Sequence, residues 1–447
     1  MATGISGREK LSADALIASI PGRDPHPLPA SSALPVMHYP NRLSEKDVLE
    51  YLPSDFIIPG KKGFASSGGF SNKLLLCDNL FGLHELLKSG RRATLIYLDP
   101  PYNTGMEFHS RDLAHAYKDQ FGTAHYVEFM RRRLILMREL LTDDGSIYVH
   151  IGHQMVSHLK VILDEIFGPQ NFRNIITRKK CSSKNFTKHS FSNTNDYILF
   201  YTKSDNYKWN KPGEKPDDAW IEKEYTKVDA KGRYKLVPIH APGTRNGETG
   251  AAWRDMMPPP GKHWQYVPSK LEALDQAGEI HWSRNGNPRR KLYLTDDKLI
   301  SYSDYWDRFR DAHHQSIAIT GYPTEKNFDM LKLIVGASSD EGDLVVDPFC
   351  GSGTTLNAAS DLNRQWIGLD QSFEAIKATI TRLRHGSNAM GDFVNKPSKS
   401  DKIVDLFASI DAESTVNKHR ASSSFDFLVD AHVAKEFYSE IEALSSI

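Results

Sequence analysis

Ala93-Thr-Leu-Ile-Tyr-Leu98 runs straight into Asp99-Pro100-Pro101-Tyr102. The first six residues are β-rich and predict a central strand, and the two prolines stop it because neither can donate to a ladder. The quartet therefore falls at the carboxyl end of a strand, the edge where open α/β sheets gather their ligands. It offers a carboxylate, a rigid backbone whose carbonyls no neighbouring amide engages, and an aromatic plane. Those parts suit a planar substrate that carries an amino group. Asp99 and the Pro100 carbonyl can each accept one N–H, and Tyr102 can stack on the ring for about 1–3 kcal/mol. The plain alternative is a proline turn with a helix cap. The strand before the quartet and Asn103-Thr104-Gly105 after it weigh against that alternative.

Outward from the quartet, strand and helix alternate. Lys73-Leu-Leu-Leu-Cys-Asp78 predicts a strand ending in an acid, and Leu80 to Leu87 a helix. Tyr126 to Leu141 repeats apolar residues at helical spacing, and Ser146 to Ile151 is strand-like. His158 to Phe167 reads as helix and Asp196 to Tyr201 as strand. This rhythm predicts an α/β fold with helices on both faces of the sheet. It resumes near Phe328 to Gly336 and leads to Leu344-Val-Val346, then Asp347-Pro348-Phe349-Cys350-Gly351-Ser352-Gly353-Thr354-Thr355. Two glycines there let the backbone approach a ligand at a helix start. The spacing is not a dinucleotide fingerprint, because Leu356 stands where a third glycine would fall, and no Gly-Lys-Ser/Thr makes it a P-loop. Asp370 ends the next strand, about 20 residues on, where an acid binds ribose hydroxyls in nucleotide-binding units.

Together, the two stretches resemble the amino-methyltransferases of DNA. Asp-Pro-Pro-Tyr is similar to their catalytic motif, and Asp347 to Thr355 to their cofactor loop. The order here (catalytic motif, insertion, cofactor loop) resembles the β subgroup, which includes the modification subunits of type III restriction systems. The likeness covers about residues 70 to 203 and 321 to 385. It implies a Rossmann-like methyltransferase fold with a mixed seven-stranded sheet, and S-adenosylmethionine as cofactor. Asp99, Pro100, Pro101 and Tyr102 would then be catalytic. Asp347, Pro348, Phe349, Gly351, Gly353 and Thr354 would hold the methionine part of the cofactor, Asp370 its ribose, and Asp78 its adenine. Asn193 to Lys203 resembles the segment that flanks the target-base pocket. One departure stands out: Thr324-Glu325-Lys326-Asn327 occupies the place of the family's usual Gln-Lys-Pro. Asp as the first catalytic residue favours adenine N6 over cytosine N4. Cytosine N4 and a DNA-binding scaffold with an inactive core stay open. A homodimer and restriction or defence-system subunits are partners the resemblance allows.

The rest of the chain sorts into five parts. Residues 1–45 hold six prolines from Pro21 to Pro40 and predict an extended arm. Residues 46–203 form the catalytic half of the core, and 321–395 the cofactor-binding half. Residues 204–320 break the α/β rhythm and carry six of the seven tryptophans. A structureless loop of that length is improbable, so they predict an inserted target-recognition domain of β character. Arg245, Asn246, Arg254, Arg289 and Arg290 are its candidates for reaching base edges. Residues 396–447 are an acidic extension in which Phe425 to Leu444 is amphipathic, read as a partner contact or a surface helix.

Lys and Arg total 56, equal to Asp and Glu, so any surface for a polyanion must be local. The best stretch for contacting double-stranded DNA is Arg173 to Ser190, where Arg173, Arg178, Lys179, Lys180, Lys184 and Lys188 occur without an acid. Three cysteines (Cys77, Cys181, Cys350) show neither a disulfide framework nor metal-ligand spacing, and no metal is expected. No apolar run approaches the ~18 residues of a membrane helix, and the reading is of a cytoplasmic protein.

Overall fold

Leu95 and Tyr97 point to one face of the central strand and Ile96 and Leu98 to the other, and all four are buried. A strand covered on both sides must lie mid-sheet, and this one does. The computed structural model describes residues 34–50, 52, 56–57, 72–102, 106–109, 115–119, 122–181, 189–310, 318–319, 326–385, 388–389 and 425–436. The main sheet's strands are numbered here in chain order: β1 Phe56–Ile57, β2 Asn72–Leu76, β3 Ala93–Leu98, β4 Leu141–Ile151, β5 Phe172–Lys179, β6 Asn195–Thr202, β7 Tyr305–Trp306, β8 Leu344–Asp347, β9 Gln365–Asp370 and β10 Phe425–Asp430. Their spatial order is β1-β10-β2-β9-β8-β3-β4-β6-β5-β7.

The middle seven strands, β2 to β5 in space, make the expected mixed sheet. β2, β9, β8, β3 and β4 run parallel. β6 runs antiparallel to both β4 and β5. The carboxyl ends of β3, β4, β5, β8 and β9 and the amino end of β6 consequently share one edge. Three helices, α1 (Asn79–Lys88), α2 (Thr123–Leu140) and α3 (Val156–Phe167), cover one face. Another three, α4 (Phe328–Ser338), α5 (Thr354–Asp361) and α6 (Phe373–His385), cover the other. Each fully buried Leu or Ile in these two cores contributes about 1.5–3 kcal/mol.

Three strands extend the sheet beyond seven, and two of them revise the sequence reading. Phe425–Asp430, expected within a separate acidic extension, is strand β10, parallel to β2 and antiparallel to β1. The period explains the difference: Phe425, Phe427 and Val429 alternate into the core, which is strand spacing over that stretch rather than helical. A short helix, Ala431–Glu436, follows. Tyr305–Trp306, placed within the insertion by the 204–320 boundary, is strand β7, parallel to β5. Trp306 is buried in the main core, and Trp209 stacks on Phe200 of β6. The insertion proper folds about its own four-stranded antiparallel sheet, made by Lys227–Asp229, Gly232–Pro238, Pro288–Tyr293 and Ile280–Trp282. Trp253 and Trp264 lie in its small core, with Trp282 stacked against Trp253.

Candidate active site

β8 lies directly beside β3, with Val345 opposite Leu95 and Val346 opposite Ile96. That register sets Asp99-Pro-Pro-Tyr and the glycine loop side by side at the same sheet edge, although the insertion separates them in sequence. They line one cleft, whose walls include Tyr97, Asp99, Lys326, Asp347, Phe349 and Thr355.

On the β3 side, the Asp99 carboxylate is held at both oxygens. Tyr102 donates its hydroxyl to Oδ1 at 3.0 Å, and the Lys326 ammonium sits 2.6 Å from Oδ2. Tyr126 of α2 donates to the Pro101 carbonyl at 2.6 Å, which anchors the turn. The Pro100 carbonyl accepts no hydrogen bond from the described residues. Asn103-Thr104-Gly105 lie outside them. Burial, reinforced by the Asp99 charge, pushes the hydroxyls of Tyr97 and Tyr102 well up, so both stay neutral donors.

On the β8 side, Asp347 accepts the Phe349 amide at 3.0 Å and starts the turn. Gly351 and Gly353 both adopt positive φ, at 52° and 73°. The loop is tied to β9 through Asp370, whose Oδ2 accepts the Gly351 amide at 2.9 Å and whose Oδ1 accepts the Ser372 amide. Thr379 of α6 donates to the Gly351 carbonyl at 2.8 Å. Burial pushes the Asp347 carboxyl up to about 7, against the Thr355 and Phe349 hydrogen bonds that favour its charge. Burial also pushes Asp370 up, although the Ser372 and Gly351 amides oppose it.

Asp78 caps α1 through the Leu80 amide and pairs with Arg133 at 2.7 Å. Arg133 also bonds Asn79, and Asn79 donates to the Pro348 carbonyl at 2.6 Å. The acid that follows β2 is in this way wired to the glycine loop. Burial lowers the Arg133 guanidinium to about 10, yet it remains charged at neutral pH.

Behind the quartet runs a buried polar line that the sequence reading missed. Tyr97 shares a 2.8 Å hydrogen bond with His150 Nδ1, and His150 Nε2 lies 3.1 Å from Asp196. Arg178 donates to Asp196 at 2.8 Å and to the Phe309 carbonyl at 2.6 Å. Burial alone would raise the Asp196 pKa, but His150 and Arg178 hold it well below the usual carboxylate range. Arg178 therefore leaves the expected DNA stripe: it is fully buried, because a charged group at that inward position of β5 needs the Asp196 partner. Arg173 is half-buried and paired with Asp205, Thr202 and the Ser204 carbonyl. Lys179 and Lys180 remain at the site edge of the sheet, partly exposed. Lys184 and Lys188 lie outside the described residues. In the insertion, Arg254 is engaged by Glu272 and Asp275, while Arg245, Asn246 and Arg289 are exposed.

A family model described as DNA methylase, of the N6/N4 methyltransferase type, matches residues 93–381. The chain belongs to the N6/N4 DNA methylase family. It is a DNA methyltransferase of the restriction–modification kind. It is 55% identical over 420 residues to the type II methyltransferase M.EcaI of Enterobacter cloacae, covering 93% of this chain and 92% of that one. It is 28% identical over 332 residues to the type III restriction-modification enzyme StyLTI Mod subunit of Salmonella typhimurium, covering 66% of this chain and 50% of the other. The solved M1.HpyAVI–SAM complex aligns with 70% of this chain and 98% of its own, at 16% identity and a TM-score of 0.36. Among the methylase's described residues, no helix is long and apolar enough to cross a membrane.

A glycine that sequence reading passed over also borders the site. Gly152 follows β4 and abuts the Tyr102 ring, so that a Cβ there would come within 2.9 Å of Tyr102 Cδ2. Gly152→Ala is expected to tilt Tyr102 and slow methyl transfer by about 10-fold or more, since small misplacements in a reacting site are costly. Steady-state kinetics with an unchanged melting curve would support this; an unchanged rate would show that the ring has room to move.

Proposed function

We propose that the methylase transfers a methyl group from S-adenosylmethionine to the N6 amine of an adenine in double-stranded DNA, at a short recognition sequence, as the modification enzyme of a restriction or phage-defence system. The observation that carries the reading is the β3–β8 adjacency, which joins amine acceptors and a glycine-lined loop in one cleft. Asp at position 99 favours adenine, in line with the family pattern.

The residues fit the cofactor. Gly351 and Gly353 at positive φ expose backbone at a helix start, and Asp370 stands at the end of β9 for ribose hydroxyls. Asp347, Pro348, Phe349 and Thr354 would border the methionine part, and Asp78 would lie toward adenine. When bound, the cofactor supplies an electrophilic methyl on a sulfonium. The adenine amine is a poor nucleophile because its lone pair is delocalised into the ring. Asp99 and the Pro100 carbonyl would each accept a hydrogen bond from one of its N–H groups and hold the lone pair toward the methyl. Tyr102 would stack on the base. Positioning and stabilisation of positive charge developing on nitrogen then supply most of the acceleration. The target nitrogen lies inside the duplex, so the base must flip out, at a cost of a few kcal/mol. Lys179 and Lys180 would meet the DNA backbone at this edge. Phe191, fully exposed in the connection that leads into β6, offers an aromatic plane.

The raised Asp347 pKa gives this reading a pH signature. Below about pH 7 the folded protein keeps a proton on Asp347. Receiving the cofactor's ammonium requires the carboxylate, so binding there must release that proton. Affinity is expected to rise by up to about tenfold per pH unit as pH approaches 7, and to level off above it. The sign for stability is opposite. The unfolded carboxyl titrates near 3.8, so the Asp347 contribution is full below that pH and is lost as pH rises through about 7. Calorimetric titrations in two buffers of different ionisation heat measure the released proton; Asp347→Asn should abolish both the release and the pH slope.

The experiment that tests the function incubates the purified protein with S-adenosylmethionine and unmethylated genomic DNA, then digests the DNA for nucleoside mass spectrometry. N6-methyladenine is the expected product. N4-methylcytosine would keep the mechanism and overturn the base. Neither product would point to a DNA-binding scaffold.

A further inference from the structure

Lys326 places its ammonium 2.6 Å from Asp99 Oδ2, and the two side chains are only 12% and 18% exposed. The same nitrogen lies 5.4 Å from the centre of the Tyr102 ring. It thus occupies the corner defined by the carboxylate and the aromatic plane, the two features the quartet offers to an aminated base. Among the described residues lining this cleft, Lys326 is the one cation; it pairs with Asp99, and Asp347 lines the same cleft.

Helix formation does not account for a lysine here. Lys326 precedes Asn327, which caps α4 by accepting the Met330 amide at 3.0 Å, so the ammonium stands at the positive end of the helix dipole. Asn327 also donates to the Arg310 carbonyl at 3.3 Å, fixing the backbone that carries Lys326 to the chain leaving β7.

We propose that Lys326 is a positioning residue for methyl transfer: its ammonium holds the Asp99 carboxylate toward the cleft until the amine of the target base takes that place. The inference rests on the function proposed above. An ammonium and a base amine are both N–H donors, and Oδ2 of Asp99 serves each in turn. With Oδ1 already held by Tyr102, Lys326 fixes the rotamer of the carboxylate and leaves it able to accept. Among the described residues, the titratable groups around the ammonium are Asp99 and Tyr102 on the quartet, Tyr97 and Asp347 in the cleft wall, and Asp196 on β6 behind it.

The test is single-turnover methylation of DNA by the full chain carrying Lys326→Met or Lys326→Arg, across about pH 6 to 9. The Met variant is expected to slow the step by about 10²-fold, with Kd for S-adenosylmethionine and for DNA within about threefold of the parent. The Arg variant should recover much of the rate. An unchanged rate in the Met variant overturns the proposal. So does a rate loss matched by an equal loss of cofactor affinity, which would make Lys326 a cofactor ligand. If circular dichroism shows the Met variant unfolded, Lys326→Gln is put through the same measurements. Methylation by the unaltered protein tests the underlying function, whereas the variant-to-parent ratio tests Lys326; a parent that methylates neither base overturns both.

Discussion

Asp99→Ala is expected to lower the methyl-transfer rate by about 10²–10³-fold or more while leaving the Kd for S-adenosylmethionine within about twofold, because it deletes an acceptor aimed at the reacting amine. The separation of the two effects follows from the fold. The glycine loop is secured by groups on other strands and helices: Asp370 on β9, Thr379 on α6 and Asn79 on α1. None of these bonds passes through Asp99. What Asp99 does hold is the Tyr102 hydroxyl and the Lys326 ammonium. Alanine would leave that largely buried ammonium beside an apolar methyl, and local rearrangement adds to the effect. Asp99→Asn separates the two contributions. It keeps a carbonyl acceptor but presents an NH2 group where Lys326 or the base amine must donate, and its rate should fall nearly as far as that of alanine. Rapid-quench transfer of a labelled methyl group and calorimetric cofactor binding give the two numbers. A variant that turns over normally would take Asp99 out of the reaction. One that fails to bind cofactor would mean the two motifs are coupled more tightly than their hydrogen bonds indicate.

How far this site was legible from sequence depended on whether a residue's role was local. The quartet and the glycine loop were readable because each is a short strand-to-turn signal whose chemistry lies within a few residues, and the sheet then placed them together. Six of the seven central strands were readable for the same reason, since buried β-rich runs and amphipathic helices alternate, whereas β5 was hidden inside the basic stretch. Strand β10 was not, because its inward residues Phe425, Phe427 and Val429 sit in a segment whose composition is dominated by acids. Arg178 shows the converse failure. Within a basic stretch it looks like every other cation, and only the pairing of β5 with β6, which sets it opposite Asp196, shows that it points inward. The line from Tyr97 through His150 and Asp196 to Arg178 joins four strands, so no spacing rule in one segment could have revealed it. A histidine inside the apolar run Ile147 to Ile151 was the one available sign, since a buried polar group needs a partner. Lys326 was visible only as a departure from a family pattern; its contact with Asp99 required the fold.

Gly353→Val is the second large effect, and it should act through the cofactor rather than the chemistry. Gly353 is the N-cap of α5 with φ of 73°, a conformation that a β-branched residue adopts only with strain. A Cβ at this position would also lie 2.8 Å from Thr379 Cγ2 and 2.9 Å from its hydroxyl. Thr379 cannot retreat freely, because its hydroxyl holds the Gly351 carbonyl and its side chain is buried. The substitution therefore forces either the loop or α6 to shift, and in both cases the Gly351 amide moves off Asp370. Cofactor affinity is expected to fall by about 10²-fold or more, with a loss of stability of about 1–3 kcal/mol from the strained backbone alone. Gly353→Ala with Thr379→Ala divides the cause. Removing the Thr379 side chain relieves the clash but not the positive φ; with Thr379→Ala alone measuring the lost bond to the Gly351 carbonyl, the double variant should regain part of the affinity over Gly353→Ala once that loss is subtracted. No recovery would assign the whole effect to backbone strain. Normal affinity in Gly353→Val would mean that the loop between β8 and α5 is not where the methylase holds its cofactor.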